Sequence, residues 1–207
     1  MLASLLARPE VTEVCELRGR MGLMAYHGGN LERSTDAVAR EVAERTGASL
    51  YAVLQQAPLR QHVSSLAFDP AESDALACFL SHVDVAISIH GYGRETSWHH
   101  LLIGGRNRAL AGHVASHLRA VLSEPYEVVD DLERVPKELR GQHPRNPVNR
   151  PAEAGVQIEL PPTIRWNRAE RGWSDHEGVS RSADLHLLID GLSRAVSSWD
   201  PEEGFAR

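Results

Sequence analysis

"LMAYHGGNLERSTDAVA", residues 23–39, carries a strand, a sharp turn and the start of a helix without a spacer. The apolar run at 22–26 reads as a strand, and Gly28 and Gly29 let the backbone reverse. Val38 and Val42 then share one face of a helix over about 35–45, which Gly47 closes. A strand delivered directly into a helix is the building unit of α/β proteins. The question within this unit is why His27 and Glu32 stand on either side of so flexible a turn.

The same alternation continues outward. "SLYAVLQ" at 49–55 is a second strand, and Asp69-Pro70-Ala71-Glu72 supplies an N-cap, a proline at N1 and an acidic N3, predicting a helix to about His82. "VDVAISIH" at 83–90 alternates Val83, Val85, Ile87 and Ile89 with small or polar residues, the period of a strand. Further strands are predicted at 100–104, 126–130 and 155–162. A helix over about 107–122 carries Leu110, Val114, Leu118 and Val121 on one face, and an amphipathic helix covers 183–199. Residues 131–154, with Pro136, Pro144, Pro147 and Pro151, read as a loop, of a length that is often functional inside a compact domain, a disordered spur being the plainer alternative. Residues 166–182 read as irregular. The prediction is one α/β domain over 1–207 with a mixed, mostly parallel sheet flanked by helices, its motif-bearing core at about 21–165.

A chain of 207 residues with 42% hydrophobic content can bury one sizeable core. Net charge is −6 and no dense Lys/Arg cluster is present, which argues against nucleic acid as a partner. No apolar run reaches transmembrane length and no basic leader opens the chain, so a cytoplasmic protein without a membrane partner is expected, most simply a monomer. Cys15 and Cys78 lack metal-ligand spacing and are too few for a disulfide framework, in keeping with a reducing compartment.

Two predicted strands end in histidine followed by glycine, at His27-Gly28-Gly29 and His90-Gly91. In open α/β sheets ligands bind beyond the carboxyl ends of strands, so the two imidazoles are candidates to meet there, with Glu32 swinging back through the turn. Two histidines and a carboxylate, with a fourth position left for water, form the donor set of catalytic zinc in carboxypeptidase-type enzymes. Taken singly, each has a plainer reading: a core histidine, a solvated charge before a helix, the polar side of a half-buried strand. His62, His99, His100, His113 and His117 are not assigned to the metal, and the last two are expected on a solvent face. The candidate general base is Glu159, on the strand face opposite Val156, Ile158 and Leu160, where a solvent-facing residue is the ordinary alternative. Glu95 and Glu153 are the next carboxylates. Arg94, Arg106 and Arg150 follow glycine-rich or strand-end motifs and are candidates to clamp a carboxylate or face an oxyanion.

With these residues in place, the ordered set "YHGGNLERST", "HVSSLAFDP", "AISIHGYG", "IGGRNRAL", "NPVNR" and "GVQIELP", over about residues 24–165, resembles the poly-γ-glutamate hydrolase family of phage-associated and bacterial zinc proteins. The resemblance implies a carboxypeptidase-like α/β fold and one zinc per chain on His27, Glu32 and His90, with Glu159 as catalytic glutamate. It implies cleavage of γ-glutamyl amides in an acidic polymer or peptide, with Arg106, Asn149 and Arg150 reading carboxylates; Arg106 is the preferred oxyanion partner and Arg94 a further substrate contact. Competing readings are a zinc amidase for peptidoglycan or acyl-amino acids, and a non-catalytic module that binds metal or acidic polymer.

Overall fold

The protein is described by a computed structural model that covers residues 1–200, apart from the side chain of Glu95. In chain order the elements are α1 (Leu2–Leu6), β1 (Val11–Glu16), β2 (Met21–Gly29), α2 (Thr35–Thr46), β3 (Ser49–Gln55), α3 (Asp74–His82), β4 (Val85–Gly91), β5 (His100–Ile103), α4 (Arg108–Val121), β6 (Glu127–Val129), β7 (Gly155–Leu160), α5 (Pro162–Arg165), β8 (Trp166–Asn167), β9 (Gly172–Trp173) and α6 (Ala183–Ser197). Seven strands form one sheet in the order β1-β3-β2-β4-β7-β5-β6, and β8 and β9 make a separate ribbon. The central run β3-β2-β4-β7 is parallel, β1 and β5 are antiparallel to their neighbours β3 and β7, and β6 lies parallel to β5. The mixed, mostly parallel α/β sheet is the one expected.

Side chains alternate between the two faces of the sheet. On one face, Ile87 and Ile89 of β4 and Val156, Ile158 and Leu160 of β7 share a core with Val38 and Val42 of α2, Val114 and Leu118 of α4, and Leu188 and Leu192 of α6. On the other face Met24, Tyr26, Tyr51 and Val53 bury against Leu2, Leu5, Phe68, Leu76 and Phe79. Strands β4 and β7 present no hydrocarbon to this second face beyond Ala86. They place Ser88 beside Gln157 and His90 beside Glu159, all buried. A polar column thus runs up the middle of the sheet toward its carboxyl edge.

Several local outcomes differ from the expectations. Strand β1 has no counterpart among the predicted strands, because an edge strand is half-buried along its length and its alternation is weak. The helix predicted from Asp69 starts later: Asp69 caps only a 3₁₀ turn, Pro70–Glu72, whereas the Ser73 hydroxyl accepts from the Leu76 amide at 3.0 Å and opens α3. Both side chains accept from an amide, Asp69 from Ala71 and Ser73 from Leu76, and only the turn capped by Ser73 continues as an α-helix. Segment 131–154 is packed rather than free, with Val135 against Tyr92, Leu102 and Val129, and with a buried turn at Pro147–Asn149. Segment 166–182 contains the β8–β9 ribbon. His113 and His117 are partly buried between α4 and α6, His113 Nε2 lying 3.0 Å from the Ala195 carbonyl oxygen. Among the described residues no helix is long and apolar enough to cross a membrane.

Gly29 and Gly47 share a positive φ, +67° and +70°, but differ in their surroundings. A Cβ at Gly29 would run into the Gln55 backbone, while at Gly47 it would meet nothing within 4 Å. Gly47→Ala should therefore cost only the left-handed backbone penalty of about 1–2 kcal/mol, and Gly29→Ala should cost visibly more, as read from urea midpoints. Equal losses would contradict this packing.

Candidate metal centre

His27 owes its direction to an irregularity in β2. The register with β3 shifts between Ala25 and Gly28, and a bulge of this kind re-aims a side chain. Tyr26 and His27, although adjacent, both come against His90, at ring-centroid separations of 4.8 and 5.0 Å. Gly28 allows α2 to close in, since a Cβ there would sit 2.8 Å from Asp36 Cβ, and the Asp36 carboxylate accepts from the Gly29 amide at 3.0 Å.

The turn that follows is closed by the Glu32 amide donating to the His27 carbonyl at 2.9 Å. It carries the Glu32 carboxylate back over the strand ends. Oε1 lies 2.8 Å from His27 Nδ1, and Oε2 lies 3.2 Å from His90 Nδ1 while accepting from the Gly91 amide at 3.0 Å. One ligand atom from each of His27, Glu32 and His90 falls within 4.8 Å of the others. The donor set suits a metal for a further reason. His27 Nε2 lies 2.8 Å from the Val63 carbonyl oxygen, which fixes a proton on Nε2 and leaves Nδ1, the nitrogen that faces Glu32, as the one whose proton a metal would replace. His90 Nε2 is buried without a partner.

Charge in this cluster is strongly perturbed. Burial would raise the Glu32 carboxyl, but the pull of His27 and His90 overrides it and holds the group well below the usual carboxylate range. Burial would lower His27, and the Glu32 charge together with its hydrogen bond raises it instead. Glu159 moves the other way: burial pushes it up to about 7, with His90 opposing the rise and Glu32 adding to it. The Glu159 carboxylate is oriented by a chain of side-chain hydrogen bonds. Tyr26 donates to Asn146 Oδ1 at 2.8 Å, Asn146 Nδ2 donates to Gln157 Oε1 at 2.8 Å, and Gln157 Nε2 donates to Glu159 Oε1 at 2.9 Å.

Arg165 is the residue that the sequence did not point to. Its guanidinium donates to the carbonyls of Arg33 and Tyr92, both at 3.0 Å, and lies 4.9 Å from the centre of the Trp173 ring. Burial pulls it down to about 10, with Glu32 and Glu159 opposing. Gly91 makes this possible, since a Cβ there would come within 2.6 Å of the guanidinium carbon. The room left by the glycine after His90 is filled by an arginine. Arg165, Glu32, Gly91, Arg33, Arg60 and Trp173 line a cleft of about 200 Å³. His62, exposed, stands at the other side of His27 with ring centroids 5.0 Å apart.

The family model for poly-gamma-glutamate hydrolase matches residues 7–179, most of the chain. The chain belongs to the poly-γ-glutamate hydrolase family. The prophage-derived UPF0714 protein YoqZ of Bacillus subtilis (strain 168) is 37% identical over 100 residues, a match that spans 48% of this chain and 35% of that protein. The structure of a bacteriophage poly-γ-glutamate hydrolase superposes with a TM-score of 0.78 at 25% identity, covering 94% of this chain and 92% of that one. A zinc-free structure of YndL gives a TM-score of 0.74 at 21% identity, covering 91% and 90%.

The residues that the family resemblance implied for substrate are dispersed. The Arg106 amide is held by Asn149 Oδ1 at 3.1 Å and the Asn107 amide by the Gly155 carbonyl at 3.0 Å, at the amino end of β7. Glu159 lies four residues further along that strand, about 13 Å away, so Arg106 does not reach the cluster. Asn149 is buried, and its amide donates to the carbonyls of Gly141 and His143; it folds the 131–154 segment rather than reading a ligand. Arg150 turns to Asp69 at 3.8 Å, and Arg94 pairs with Glu138 beyond the rim of the cleft. Glu153 precedes β7, with its amide on the Asp84 carbonyl, at the end remote from His90. The side chain of Glu95 lies outside the described residues. "AISIHGYG" and "IGGRN" look alike as glycine turns, but β5 runs antiparallel to β7, so the two turns lie at opposite edges of the sheet.

The raised Glu159 carboxyl has a thermodynamic signature in metal-free protein. The folded state holds this proton more tightly than the unfolded chain, so stability falls as pH rises from about 4.5 and the loss is complete above about 7. Metal-free Glu159→Gln should be more stable than metal-free wild type by up to about 3 kcal/mol near pH 8, with the difference vanishing below the lower limit. Urea melts at several pH values read it directly; a pH-independent difference would mean that Glu159 is not buried as a proton-holding group.

Proposed function

We propose that this family member is a zinc-dependent amidohydrolase that cleaves γ-glutamyl amide bonds, with one zinc per chain held by His27, Glu32 and His90. The observation that carries the reading is a buried His-Glu-His cluster in hydrogen-bond contact beside a carboxyl, Glu159, poised near neutrality. The YndL structure described as zinc-free and the structure described as a phage poly-γ-glutamate hydrolase support the choice of metal and of polymer. When bound, zinc supplies Lewis acidity toward a carbonyl oxygen and lowers the pKa of water to about 7.

This chain's own residues supply the rest. Glu159 takes the proton of the attacking water and delivers it to the leaving amine, and its burial, which raises it in the metal-free protein, favours a group able to hold that proton. Gln157 holds one oxygen of that carboxylate, so the other is the one free to face substrate. Arg165 takes the oxyanion-facing part given above to Arg106, because its guanidinium is fixed by two carbonyls and by Trp173 inside the cleft. Arg33 and Arg60, on the cleft wall, meet the α-carboxylates of an acidic γ-glutamyl polymer.

Purified protein should contain close to one zinc per chain by elemental analysis, and His27→Ala or His90→Ala should lose it, since each removes one of three protein ligands. Full zinc in both variants would refute the assignment. Glu159→Gln should keep zinc and fold while lowering kcat on γ-glutamyl oligomers by roughly 10²–10⁴-fold. Turnover of muropeptides in preference to γ-glutamyl oligomers would move the substrate to peptidoglycan, and binding without turnover in zinc-loaded wild type would favour the non-catalytic module.

A further inference from the structure

The wall of the metal cleft continues into a second depression. Pro162 and Trp173 border both; beyond them Trp98, His99, Trp166 and Arg168 enclose about 420 Å³. Three of the chain's four tryptophans stand here. Trp166 and Trp173 face each other across the β8–β9 ribbon, edge to face at 5.2 Å, and Trp98 is 46% exposed. The Thr163 hydroxyl bonds the Trp98 carbonyl, which ties the exposed ring to the start of α5. A contiguous aromatic surface left open to water marks a binding site more often than chance.

The size of the first cleft says what the second is for. About 200 Å³ is below the roughly 300–1,000 Å³ of ordinary ligand pockets, so a polymer whose scissile amide lies beside Glu159 must run out of it. The aromatic depression is contiguous with that exit. We propose that Trp98, Trp166, Trp173 and Arg168 form a subsite for the next residues of the γ-glutamyl chain. This rests on the reading given under Proposed function. Between successive α-carboxylates that polymer offers two methylenes and a flat amide, which suit indole faces, and one carboxylate per residue, which suits the single guanidinium of Arg168. A glycan would call for carboxylate or amide side chains beside the rings to bond its hydroxyls, and among the described residues those lining this depression include none.

The test uses zinc-loaded protein with Trp98→Ala and Arg168→Gln, two exposed positions outside the catalytic machinery. KM for long poly-γ-glutamate should rise roughly three- to tenfold in each, the loss of one contact, while kcat/KM for a γ-glutamyl dipeptide stays within twofold of wild type. Unchanged KM at every chain length would overturn the subsite. If wild type cleaves no γ-glutamyl substrate, the Proposed function fails separately, and the subsite is decided by titrating poly-γ-glutamate into ¹⁵N-labelled protein. Shifts of the indole N–H signals of Trp98 and Trp166 support it; their absence, or shifts produced by glycan strands instead, overturn it.

Discussion

The Glu32 carboxylate is the tie on which the site depends. It is shared between the ends of two neighbouring parallel strands, meeting His27 from β2 and both His90 and the Gly91 amide from β4. A charge so placed has left water, and it is tolerated because three polar partners replace the solvent. The same tie requires a turn tight enough to return the chain within five residues, and that turn in turn requires Gly28 and Gly29, where side chains would collide with Asp36 and with the β3 backbone. The glycines therefore answer for both the bend and the helix packing behind it. The His27–Glu32–His90 cluster, the start of α2 and the strand ends form one mechanical unit.

Around that unit the sheet divides its labour by face. The face under α2, α4 and α6 is hydrocarbon along strands β4 and β7, whereas the other carries the column Ser88, His90, Gln157 and Glu159. Burying such a column without partners would cost several kcal/mol per group. Residues 131–154 supply partners: Asn146 bonds Gln157, and the Leu139 carbonyl accepts from Gln157 Nε2 at 3.2 Å. The proline-rich segment is thus the lid on the polar column. Through Asn146 and Gln157 it reaches Glu159 at second hand, and Asn149 gathers the Gly141 and His143 carbonyls within it.

Much of this was legible in the residues, for physical reasons that also mark the limits. His27 and His90 close strands of strong periodicity, so their meeting at the carboxyl edge was readable from βα order, whereas Glu32 sits on a turn and Glu159 on a strand face where a solvent-facing residue was the ordinary alternative. The arginines were not readable in this way, because a guanidinium on a loop declares its charge but not its direction, and strand polarity decided against Arg106. Arg165 carried no local signal, lying in a four-residue helix after two prolines, and its burial depends on Gly91, far away in sequence. Strand β1 and the β8–β9 ribbon were hidden by shortness or half-burial.

Strand order also sets a timetable for the newborn chain. β7 inserts between β4 and β5, both of which precede it. As the chain is synthesised, β1, β3, β2 and β4 can assemble from local crossovers, but β4 then ends in an open backbone edge, and β5 has no neighbour through which to join it. Both wait for residues 155–160 to arrive and zip the two halves together. Until then the polar column has one side only, and an unpaired inner strand is the kind of edge on which chains stick to one another. Truncation between β6 and this strand therefore removes more than Glu159: it leaves two partial sheets that lack their common keystone.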